Sequence, residues 1–124
     1  MTGDAQALRA ALRLGLTAAL KARDRDALAA LRTAIAAIDN AEAVPVPAPD
    51  AALPATSAHI AGARSGLGSS EAARRELSAS ELRDILRGQI AEHISEAGRY
   101  DTLGQADAAE RLRRQAHALT AYLP

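Results

Sequence analysis

The chain has 124 residues, 15 basic and 15 acidic, a formal net charge of zero and no cysteine. That length gives one domain with a modest core. The balanced charge argues against a bulk electrostatic nucleic-acid binder, and the lack of cysteine excludes a disulfide frame, thiolate chemistry and Cys-ligated zinc. About a quarter of the residues are alanine, the large apolar residues are almost all Leu and Ile, and the aromatics are Tyr100 and Tyr122 alone. Alanine and leucine are the strongest helix formers, so the expected class is all-α. The N-terminus lacks the apolar stretch of a signal peptide, and no apolar run reaches membrane-spanning length. The expectation is a cytoplasmic chain with no membrane contact.

The first helix is expected over residues 4–22, with Asp4 as its N-cap and Leu8, Leu12, Leu16 and Leu20 as an i+4 stripe filled by Ala5, Gly15 and Ala19. The second, over 24–43, is capped by Asp24 or Asp26 and carries Leu28, Leu31, Ile35 and Ile38 on one face. With so short a loop, the two form an antiparallel hairpin. Val44-Pro45-Val46-Pro47-Ala48-Pro49 stops the helix. Residues 44–77 read as a long Pro/Gly/Ser-rich linker with apolar anchors at Ile60 and Leu67 and room for a short helix at 69–76. Ser78-Ala79-Ser80-Glu81 is a capping box that opens a helix over 79–103, with Leu82, Ile85, Leu86, Ile90, Ile94, Ala97 and Leu103 at helical spacing. Any break in it is expected at Gly98. Gly104 fits a left-handed C′ position, and Asp107 with Glu110 opens the last helix, over 108–122. Its core face is Ala108, Leu112, Gln115/Ala116, Leu119 and Tyr122/Leu123. The expected architecture is two antiparallel helical hairpins packed as a four-helix bundle.

Catalytic patterns are weak. His59, His93 and His117 fall on the linker and on two different helices, without H-E-x-x-H or Glu-x-x-His. His93, beside Glu92 and three residues before Glu96, reads as part of a solvated helix face. There is no G-x-S-x-G elbow, and Gly66-Leu67-Gly68-Ser69-Ser70 lacks the Gly-Lys-Ser/Thr ending of a phosphate loop. No catalytic residue, metal or cofactor is expected. The best polar constellation is basic. Arg9, Arg13, Thr17 and Lys21 recur at i+4, no acidic residue lies between Asp4 and Asp24, and Arg23 and Arg25 extend the edge. Such an edge can hold RNA phosphates; the commoner reading of such a row is a solvated face whose stems lie over leucines. No aromatic residues interleave it to stack bases. Arg111, Arg113 and Arg114 form a second basic group, partly offset by Asp107 and Glu110. Leu14 lies opposite the leucine stripe and would sit in an exposed apolar patch if a protein partner covers that helix.

Leu20–Val44, LKARDRDALAALRTAIAAIDNAEAV, and Ala109–Pro124, AERLRRQAHALTAYLP, together resemble the first helical part of the GatB/YqeY family. The likeness rests on a helix ending in a K-A-R-D-like turn, then a helix with an L-R pair and a closing N-A-E. A later hairpin turns at Gly104-Gln105-Ala106-Asp107 and ends in Tyr122-Leu123-Pro124. The family includes the tail of the subunit that positions tRNA in the glutamine-dependent amidotransferase, and small free-standing relatives. The resemblance implies an all-helical, non-catalytic module that binds tRNA or an amidotransferase complex. The alternative is a protein-interaction or homo-oligomeric scaffold, unrelated to RNA, in which another copy of the chain or a partner completes the fold. It departs in three respects: Gln105 stands where the family turn is usually basic, the linker is enlarged, and the family continues beyond the position of Pro124 into a second helical subdomain.

Overall fold

Helix-forming residues and paired capping signals set the elements. The computed structural model describes residues 2–43 and 76–124, which are all-helical: α1 Thr2–Ala22, α2 Arg25–Ala43, α3 Ala79–Thr102 and α4 Ala106–Thr120. The chain divides into two compact units, Met1–Ile38 with Leu77–Pro124, and Asp39–Glu76. The linker reading over 44–77, its anchors Ile60 and Leu67 and the helix at 69–76 fall almost wholly outside the described residues. Leu77 is an exception to that reading: it is buried and belongs to the first unit.

The capping box of α3 is complete. The Ser78 amide donates to Glu81 Oε1 at 2.9 Å, and the Glu81 amide donates to Ser78 Oγ at 3.1 Å. Leu77 and Leu82, both buried, occupy the two positions of a hydrophobic staple around it. α3 runs as one helix through Gly98, as the single element expected over 79–103. Among the described residues nothing lies within 4 Å of a Cβ placed at Gly88 or Gly98, so each is only a weak point of about 1 kcal/mol relative to alanine. α2 begins as expected at Asp24, whose Oδ1 accepts from the Ala27 amide at 3.1 Å.

Two caps differ from expectation. α1 already includes Asp4, which lies in its first turn, and α4 is capped from Gln105, with Asp107 in its first turn. The N-cap position of α4 lies two residues before Asp107, at Gln105, which makes no side-chain cap, so the Asp107 carboxylate meets the helix dipole from within the first turn.

The core of the first unit is a small set of leucines among alanines. Leu12, Leu31, Leu82, Leu86 and Leu119 are its largest fully buried side chains, with Ala30, Ala34, Ala97 and Ala109 sealed beside them. α3 packs against α4 and, less extensively, against α1. The ion pair Arg113–Asp101 ties α4 to α3, and Arg114 Nε donates to Asp26 Oδ2 at 2.8 Å, tying α4 to α2. α1 meets α2 and the C-terminal segment at Gly15. A Cβ there would overlap the Tyr122 hydroxyl and stand 3.0 Å from Tyr122 Cζ and 3.4 Å from Leu31 Cδ1.

The i+4 stripe of α1 is corrected. Ala5, Leu12 and Ala19 are buried, at a spacing of seven. An i+4 row drifts about 40° around the helix at each step, so Leu20 has rotated out and is 57% exposed. The same drift leaves Ile94 exposed on α3, while Leu103, in the turn that follows the helix, is exposed too. In the first turn of α4 the fully buried residue is Ala109 rather than Ala108.

Candidate functional site

With Ala5, Leu12 and Ala19 turned inward, the opposite side of α1 is left outward. Ala7, Ala10, Leu14, Thr17 and Lys21 are all exposed and recur at three- and four-residue spacing, the geometry of a second helix-packing seam. Leu14 is 71% exposed. A shallow depression of about 570 Å³ along this face is lined by Gln6, Arg9, Ala10, Arg13, Leu14 and Thr17. The Thr17 hydroxyl donates back to the Arg13 carbonyl at 3.2 Å, so its hydrogen-bonding proton serves the helix backbone.

The basic edge divides into unequal parts. Arg13, Lys21, Arg23 and Arg25 are exposed. Arg9 is half-buried and holds an interaction of its own within the chain. Of the two carboxylates nearest the row's end, Asp24 caps α2 and Asp26 is paired with Arg114. Hence the turn presents Lys21, Arg23 and Arg25 with its acidic residues already engaged. The second basic group is largely absorbed by structure, because Arg113 and Arg114 hold the carboxylates of Asp101 and Asp26, and those hydrogen bonds push both guanidinium groups further toward the charged form.

The histidines are not drawn together. His93 is on α3 and His117 on α4, while His59 lies outside the described residues. Among the described residues no group of three His, Asp or Glu side chains could hold a metal ion. His93 corrects its reading as a solvated residue. It is half-buried, its Nε2 is sealed without a hydrogen-bond partner among the described residues, and burial lowers its pKa, opposed by the negative charge of Glu92. It stands seven residues from Leu86 and four from Ala97, on the buried side of α3, and this spacing was the available signal.

No family model, curated protein or solved structure matches the chain. No helix of the described residues is long and apolar enough to cross a membrane.

Proposed function

We propose that this chain is a non-catalytic helical binding module of the GatB/YqeY type, working in the cytoplasm with a tRNA-dependent amidotransferase system and holding a protein partner on the outward face of α1. In this reading the two hairpins close as a four-helix bundle, residues 44–77 join them, and the amidation chemistry lies in the partner. The observation that carries the reading is Leu14, 71% exposed on a face that has no acidic residue from Ala5 to Arg23. An isolated leucine on a surface is ordinary, but one set among exposed alanines at seam spacing matches the apolar centre of a protein contact.

The test mixes the purified chain with a purified glutamine-dependent tRNA amidotransferase, with and without tRNA, in sedimentation velocity with radical footprinting. A saturable complex in which Leu14 loses its labelling is the expected result. No association at low salt with either component would remove the reading.

A second reading, direct contact with tRNA phosphates, is favoured by the exposed row Arg13, Lys21, Arg23 and Arg25, whose neighbouring carboxylates are engaged. Under it, neutralising Arg9, Arg13 and Lys21 together weakens all tRNAs alike. Each lost contact also flattens the slope of log affinity against log salt by about 0.7–0.9.

A further inference from the structure

We infer that the outward face of α1 is a docking site for an acidic amphipathic helix, one whose apolar stripe is bordered by Glu or Asp. This rests on the reading of that face as a protein-binding surface and adds the chemistry of what it takes. The seam Ala7, Ala10, Leu14, Thr17 and Lys21 has one large apolar side chain at its middle and small ones before it, so a second helix can approach closely along its N-terminal half and receive Leu14 between its own side chains. Arg13 borders the seam beside Leu14, and Lys21, Arg23 and Arg25 stand at its C-terminal end; all four are exposed. α1 offers an incoming helix no carboxylate between Asp4 and Asp24. Along α1 itself acidic flanks on the partner therefore meet only positive or neutral groups, and at its C-terminal end Lys21, Arg23 and Arg25 outnumber the exposed Asp24 carboxylate between them. Basic flanks would be repelled by Arg13 and Lys21.

The same charges exclude a second copy here. A two-fold contact centred on Leu14 sets Arg13 of one copy beside Arg13 of the other, and α1 carries no acid along this face to relieve it. RNA is a poorer occupant, because a phosphate backbone gains nothing from burying Leu14 and no aromatic side chain interleaves the row. With zero net charge on the chain, attraction comes from this face and not from a global field.

The probe is a synthetic three-heptad helix with Leu at a and d and Glu at e and g, labelled for fluorescence anisotropy against the full chain. A peptide of the same composition with scrambled order serves as one control, and unmodified tRNA as the other. The ordered peptide should bind at least about tenfold more tightly than the scrambled one. Leu14→Gln should weaken it by about tenfold or more, and Arg13→Glu with Lys21→Glu should abolish it. All three substitutions fall on exposed positions, and circular dichroism verifies that the helices persist. Equal binding of ordered and scrambled peptides, or indifference to Leu14→Gln, overturns the inference. So does tRNA binding that depends on Arg13 and Lys21 while the ordered peptide does not bind, since the face is then a nucleic-acid surface. An amidotransferase complex that footprints Leu14 while the peptide fails to bind leaves the functional reading standing and removes only this partner chemistry. Peptide binding without any amidotransferase complex does the reverse.

Discussion

The two hairpin turns are built to the same backbone plan from opposite residues. In the first, Arg23 is left-handed at φ 57, and the Asp24 amide donates to the Ala19 carbonyl at 2.9 Å. In the second, Gly104 is left-handed at φ 76, and the Gln105 amide donates to the Tyr100 carbonyl at 2.9 Å. Both are Schellman closures, and in both the residue after the left-handed position starts the next helix. The first places an unfavourable residue at the left-handed site and a good cap after it. The second places the favoured glycine there and follows it with Gln105, which makes no side-chain cap. Neither turn is optimal at both positions, so backbone geometry is specified by the pair and not by either residue alone.

The largest effects should come from the leucines that each hairpin buries on its second helix. Leu31→Ala and Leu119→Ala should each destabilise by about 2–5 kcal/mol in a two-state denaturant titration; a loss below about 0.5 kcal/mol at either would take that hairpin out of the shared core.

Gly15→Ala should lower stability by about 1–3 kcal/mol, because Tyr122 must move to admit the new methyl group. Tyr122→Leu in the same background should recover part of the loss, and no recovery would break the assigned contact.

Exchanging the turn residues tests the comparison directly. Gly104→Ala should lower stability by about 1–2 kcal/mol and Arg23→Gly should raise it by about 1 kcal/mol, since a Cβ disfavours the left-handed region. Equal and same-signed shifts in thermal melts would show that the turns are not equivalent. The capping side has smaller partners. Asp24→Ala should lose about 1 kcal/mol and Gln105→Asp should gain about 0.5–1 kcal/mol by supplying the missing cap, with both read by urea midpoints.

The smallest effect concerns His93. Its pKa is lowered in the folded state, mainly by burial, so the unfolded chain binds the proton more readily. Stability is therefore full above the ordinary histidine range near 6.5 and declines as pH falls below it toward the folded value. Stability curves across that window should flatten in His93→Gln, and an unchanged pH profile would place the sealed Nε2 in contact with water.

The all-helical class, the capping box at Ser78 and the left-handed Gly104 were legible because each is a local signal: propensity, side-chain reach and the absence of a Cβ. The cap of α2 was narrowed only to Asp24 or Asp26. The exposure of Leu14 was also legible, from its place opposite the buried side. What failed was phase over distance. An i+4 row through Leu8 and Leu20 looks like one stripe in a short window, yet rotates out of the core over three turns, and the expected face of α3 lost Ile94 in the same way. Arg23 gives no sign of its left-handed backbone, which follows from the closure around it. The engagement of Asp26 with Arg114 joins residues far apart in sequence, and no spacing rule reaches that far. At the candidate face, the residues of the basic row were visible, but the division between exposed Arg13 and Lys21 and half-buried Arg9 depended on the helix's orientation in the core.

The seating of Tyr122 against Gly15 makes the molecule its own optical probe. With no tryptophan in the chain, ultraviolet emission arises from two phenol rings. Tyr100 sits at the end of α3, and Tyr122 rests on the backbone of α1. Replacing Tyr100 with phenylalanine would leave a single fluorophore whose intensity and anisotropy report whether the C-terminal segment is clasped to the first helix. The two ends of the described chain can then be watched coming together in stopped flow without attaching a dye.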